Sequence, residues 1–91
     1  MSVRRRRKSG VLLSELPDGS GVVVHLDKRA YYPLTRTGVV LWHLYDDDRA
    51  CSDDDLVAAL RARYRVDEGV ARSDVRAFVQ RLVDEGILVD G

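Results

Sequence analysis

The sequence is poor in the residues that most site chemistries need. It has one cysteine, Cys51, so no disulfide can close within the chain. Its two histidines, His25 and His43, are too few and too scattered to form C-x-x-C or H-x-x-x-H spacings, and no metal site is expected. No apolar run approaches the roughly 20 residues of a membrane-crossing helix, so no membrane partner is expected. The basic start, Arg4 to Lys8, is not followed by an apolar stretch of the signal-peptide kind, and the cytoplasm is the expected location. No glycine-rich phosphate loop is present either. "DGSG" (18–21) leads into another extended segment, where no helix N-terminus waits for an anion.

Catalysis fares no better. Cys51 follows the acidic turn "DDDRA" and precedes "SDDD", and neighbouring negative charge raises a thiol pKa, the wrong direction for a nucleophile. The aspartate triplets at 46–48 and 53–55 read as a helix end and a helix start rather than as paired catalytic acids. No catalytic residue, cofactor or enzymatic activity is expected, and no role is assigned to Cys51, His25 or His43.

What the chain does have is enough for one small globular domain. It is 91 residues long, 45% hydrophobic and 33% charged, which suits a soluble fold with a modest core. The formal net charge of zero conceals an asymmetry. Five of the fifteen cations lie in Arg4–Lys8, which leaves ten against fifteen carboxylates and a body of about −5. Residues 1–10 accordingly read as a basic, disordered tail and residues 11–91 as the domain.

Along that domain the periodicity changes once. "VLLSEL" (11–16) and "VVVHL" (22–26) are β-branched and flank the turn cluster "PDGSG", which predicts a hairpin. "DKR" then turns the chain into a third, very short strand, about Arg29 to Tyr32. Sequential strands on short connections favour an antiparallel meander. Thr35 is a predicted N-cap for a helix that is apolar nearly all round through Val39, Leu41, Trp42 and Leu44. Ser52 with Asp55 predicts a capping box for a second helix, whose stripe is Leu56, Val57, Leu60 and Tyr64. A third helix after Asp67 carries Ala71, Val75, Phe78, Val79, Leu82 and Val83, with Gly86 and Ile87 as its C-terminal stop. The order β-β-β-α-α-α describes an α+β domain with helices on one face of a three-stranded antiparallel sheet.

Two features bear on function. In a meander the third strand is an edge with unpaired N–H and C=O groups, and Pro33 is tolerated there because it has no N–H to give. Alternation turns Ala30, Tyr32 and Leu34 towards the helices and leaves Tyr31 on the other face. The third helix also has a stripe wider than one small core needs. Its Val75, Phe78, Val79 and Leu82 fit either core packing or the wall of a groove beside the edge strand. Nucleic acid is the rival partner, since three helices and a small sheet also make a winged helix and "RRRRK" offers phosphate contacts. The last helix argues against it: Arg72, Arg76 and Arg81 are balanced by Asp74, Asp84 and Glu85. Self-pairing of the open edge into a dimer is a third reading.

"VVVHLDKRAYYPLTRTGVVLWHLYDD" followed by "LVAALRARYRVDEGVARSDVRAFVQRLVDEGIL" resembles the PqqD-like family over roughly residues 11 to 89. "YYPLTRTG" leading to Trp42, then "ALRARYRVD", then "SDVRAFVQRLVDEGIL" carry the resemblance by their order and spacing. The resemblance implies a fold of winged helix-turn-helix type and a recognition element for ribosomally made, post-translationally modified peptides. Such elements hold a precursor's leader segment as a strand added beside the third strand, against the third helix. A stand-alone chain of this size resembles the leader-binding partner of lasso-peptide biosynthesis, which implies a separate leader peptidase and a cyclase as further partners. Carried over, Arg29, Ala30, Tyr31 and Tyr32 would give backbone bonds and Pro33 would end the ladder. Val75, Phe78, Val79 and Leu82 would form pockets, and Asp74 would accept a leader hydrogen bond or stabilise its own helix start. The "RRRRK" tail lies outside the family pattern.

Overall fold

A computed structural model describes residues 3–91. The elements are β1 (Arg4–Arg7), β2 (Val11–Glu15), β3 (Gly21–His25), β4 (Ala30–Leu34), α1 (Arg36–Trp42) with a 3-10 extension (His43–Asp48), β5 (Cys51–Ser52), α2 (Asp53–Arg63), α3 (Glu68–Asp84) and β6 (Leu88–Asp90). The expected three-stranded antiparallel sheet is β2-β3-β4, followed by the three helices. A second small sheet, ordered β5-β1-β6, was not expected.

Local chemistry explains most of these boundaries. At the β2–β3 turn, Gly19 has φ of 90° and the Asp18 carboxylate accepts from both the N–H and the hydroxyl of Ser20. Gly21 meets a different limit: a Cβ there would lie 2.8 Å from Leu13 Cδ1 and 3.0 Å from the Ser14 carbonyl, so a larger residue would push its neighbours aside. The Thr35 hydroxyl accepts from the Gly38 N–H at 3.1 Å and starts α1. Both halves of the Ser52–Asp55 capping box are made, at 3.2 and 2.9 Å. Asp67 caps α3 through the Gly69 N–H. The helix then stops at Gly86, φ 72°, with the Ile87 N–H returning to the Leu82 carbonyl at 2.8 Å.

The core runs between the inner face of β2-β3-β4 and the three helices. Val23, Leu34, Leu41, Trp42, Leu56, Leu60, Val75, Leu82 and Ile87 are all buried in it. The apolar α1 of the sequence reading sits at its centre, as such an all-round helix must.

Two expectations need correction. Residues 4–7 are not a disordered tail; they are a strand pairing antiparallel with β5 and β6. Residues 1 and 2 of that expected tail lie outside the described residues. Ladder bonds to β5 and β6 hold the segment, and charge places it. Arg4 pairs with Asp55 at 3.4 Å, Arg5 with Asp53 and Asp90, Arg7 with Asp46 at 3.2 Å, and Lys8 with Asp27 at 2.9 Å. Arg7 also donates to the Tyr45 carbonyl and lies 5.1 Å over the Trp42 ring. The acidic body thus holds the basic segment, which carries little strand propensity of its own. The second correction concerns the extent of the third strand, expected over about Arg29 to Tyr32: β4 is Ala30–Leu34 and runs through Pro33. Pairing with β3 continues through Val22↔Pro33 to Gly21↔Leu34, and Arg29 instead occupies a left-handed turn position, φ 52°.

Candidate functional site

The β4 edge is open, and its hydrogen-bonding phase can be worked out. The Leu26 N–H donates to the Gly10 carbonyl and the Leu16 N–H to the Ser20 carbonyl. Those bonds mean that Val22 and Val24 turn their backbone groups to β2, so Gly21, Val23 and His25 turn theirs to β4. Their partners there are Leu34, Tyr32 and Ala30. Tyr31 and Pro33 therefore face outward. Proline fits this position because its missing N–H would have pointed to solvent. The outward polar groups of the strand are the Tyr31 N–H, the Tyr31 C=O and the Pro33 C=O.

One of these is already used. Arg81 of α3 donates from Nη1 to the Pro33 carbonyl at 3.1 Å. Two further contacts tie α3 to the start of this strand: Lys28 Nζ donates to the Glu85 carbonyl at 2.9 Å, and the Tyr32 phenol bonds the Glu85 carboxylate. Desolvation, and then that bond, push the Tyr32 phenol above its usual range. The helix thus runs antiparallel to β4, with Glu85 near Tyr32, Arg81 near Pro33 and Phe78 near Leu34.

Between them is a groove of about 210 Å³ lined by Leu34, Thr35, Gly38, Ala77, Phe78, Arg81 and Leu82. Gly38 sets its floor, since a Cβ there would come within 3.3 Å of Leu34 Cβ and 3.6 Å of Phe78 Cε1. The third-helix residues divide sharply. Val75 and Leu82 are 0% exposed and Val79 is 5% exposed, all in the core, while Phe78 is half-buried at the groove. Leu82 reaches the groove from below. Asp74 is exposed one turn before Phe78, on the same side of α3 as Arg81 at i, i+4, i+7 spacing. Tyr31 is 71% exposed on the far face of the sheet.

Of the expected backbone contributors, Ala30 and Tyr32 spend their groups on β3, the Arg29 N–H closes a turn to the Leu26 carbonyl at 3.3 Å, and Tyr31 alone offers a free pair. The sequence reading missed Arg81 and Gly38. It followed the apolar stripe of α3 and passed over the charged residue one turn beyond Phe78.

The other chemistry-bearing residues stand apart. Burial, and then the Asp55 carboxylate, push the Cys51 thiol up, and its Sγ meets the Leu44 carbonyl at 3.2 Å. Among the described residues no group of three or more His, Cys, Asp or Glu could hold a metal ion. Nor is any helix among them long and apolar enough to cross a membrane.

An α+β domain whose β4 edge lies open beside an apolar groove defines the class of molecule. The family model "Coenzyme PQQ synthesis protein D (PqqD)" matches residues 20–88, and the chain belongs to the PqqD family. β1 lies outside that match. No curated protein matches. Two solved structures are similar. One is TbiB1 in complex with the TbiA(beta) leader peptide, 25% identical over 91% of this chain and 93% of that one, with a TM-score of 0.78. The other is lasso peptide synthetase B1 complexed with the leader peptide, 21% identical over 93% and 96%, with a TM-score of 0.75; it speaks to the fold alone.

Proposed function

We propose that this protein is a non-catalytic recognition element that captures the leader segment of a ribosomal precursor peptide as a strand added to β4. The observation that carries the reading is the coincidence of an unpaired Tyr31 edge with an apolar groove between β4 and α3. Main-chain pairing gives affinity there, and side chains seated in the groove give selectivity. The likeness to TbiB1, whose structure holds a leader peptide, supports it.

The magnitudes are adequate. Two or three ladder bonds at about 0.5–1.5 kcal/mol each and two seated side chains at about 1.5–3 kcal/mol each must offset several kcal/mol of lost chain freedom. Affinity in or near the micromolar range follows, which suits a carrier that hands its cargo to a separate leader peptidase and cyclase. A duplex-binding reading has less to stand on, because Arg4, Arg5, Arg7 and Lys8 are engaged with carboxylates of the same chain.

The test is an amide-resolved NMR titration with the leader half of a precursor peptide encoded beside this gene. Saturable shifts at Tyr31, Leu34, Gly38 and Ala77 to Leu82 are expected. Shifts confined to β1, or seen only on adding a DNA duplex, would overturn the reading.

A further inference from the structure

Arg81 is the odd residue of the groove. Its guanidinium bonds the Pro33 carbonyl and, among the described residues, has no carboxylate within ion-pair distance. Two neighbouring cations are engaged, Lys28 with the Glu85 carbonyl and Arg72 with Asp54 at 3.0 Å, and Arg81 is the cation that lines the groove itself. An arginine has five N–H donors in a fixed fork. One suffices for Pro33, and the rest are unspent at the point where an added strand would leave Tyr31 and reach the outward position of Pro33.

We infer that Arg81 is the specificity-determining counterion of the site: it selects peptides that carry an Asp or Glu carboxylate beside the residue facing Pro33. This rests on the proposed strand capture and adds the chemistry of the cargo. Proline at this register denies the incoming strand one acceptor contact, since it has no N–H to donate. A carboxylate bonded to the Arg81 fork replaces that missing contact while the guanidinium keeps its bond to the Pro33 carbonyl. The bond is charge-assisted, and the guanidinium is already held in place by the Pro33 carbonyl. In the free protein the same side chain covers the one outward carbonyl next to the groove, which blunts the edge against unwanted pairing.

The experiment is selection of a display library of random linear peptides on the full chain, repeated on Arg81→Gln and Arg81→Glu. Arg81 is exposed, so both variants keep the fold, which an amide spectrum verifies. Wild-type binders that shift Tyr31 and Phe78 amides should share apolar anchors and one enriched acidic position. Arg81→Gln should erase that enrichment and weaken the selected peptides about five- to tenfold, and Arg81→Glu should move it to Lys or Arg. Edge binders with no acidic preference, or a preference unchanged in both variants, would overturn the inference and leave strand capture standing. Binders that never touch the β4 edge would overturn both.

Discussion

Phe78 and Val79 are neighbours in sequence that meet different surroundings. Phe78 is half-buried at the groove, whereas Val79 is 5% exposed in the core. Phe78→Ala is therefore expected to weaken leader binding at least tenfold while costing stability on the order of 1–2 kcal/mol, because the side chain is already partly in water. Val79→Asp places an unpaired carboxylate in the core and should unfold the protein outright. Chemical denaturation alongside calorimetric titration separates the two. Equal collapse of both variants would return Phe78 to the core and remove the groove. A second residue-scale prediction concerns pH. Desolvation of His43 opposes its protonation, but hydrogen bonds to Asp46 at 3.1 Å and Glu15 at 3.3 Å outweigh it and raise the pKa. Its stabilising contribution is therefore present in full below the unfolded value of about 6.5 and is lost as pH rises through the raised folded value. His43 is 45% exposed, so solvent screening keeps the contribution below about 1 kcal/mol. The stability gap between wild type and His43→Gln should be at its full size just below about pH 6.5 and shrink as pH rises through the raised folded value; a gap that widens with pH would reverse the assignment. From sequence alone such residues are hard to sort. One-dimensional periodicity places Val75, Phe78, Val79 and Leu82 on one stripe, and only the position of β4 decides which of them the groove exposes.

At the scale of elements the sequence was most legible where the backbone makes local demands. Thr35, the Ser52–Asp55 box, Asp67 and Gly86 all act within a few residues, and each marks the boundary it was expected to mark. The third strand was expected to stop before Pro33 and instead runs through it, because the cost of a proline depends on which way its nitrogen points, and that is set by a pairing partner eleven residues away, Val22. The same phase makes a sharp prediction for β4. Tyr31→Pro removes an N–H that faces outward, so it should lower stability by no more than about 1 kcal/mol yet remove the main ladder bond to an added strand. Tyr32→Pro removes an N–H that pairs with Val23 and should cost about 3 kcal/mol. Thermal unfolding and peptide titration of the two variants check the phase directly. If Tyr31→Pro is the more destabilising, the outward assignment is wrong and the free groups belong to Ala30 and Tyr32.

For the whole molecule, what composition hid is that the basic segment and the acidic body belong to one structure. Four arginines in a row carry neither apolar alternation nor strand propensity, and the signal for β1 lies instead in Asp46, Asp53, Asp55 and Asp90, dispersed over the rest of the chain. Each exposed pair is worth only about 0–1 kcal/mol, but β1 also supplies the central strand of the second sheet, between β5 and β6. β5 leads directly into α2 and β6 follows α3, so this sheet ties together the ends of the helix pair that backs the groove. Removing residues 1–8 should therefore cost on the order of 3 kcal/mol, through ladder bonds more than through charge. The β4 edge belongs to the other sheet and keeps all its outward groups. Leader affinity measured well below the melting temperature of the truncated chain should then stay within about twofold of the full chain, while its denaturation midpoint falls. Loss of affinity in a truncated protein that still shows a folded amide spectrum would make β1 part of the binding site, and the two sheets would then have to be read as one recognition surface.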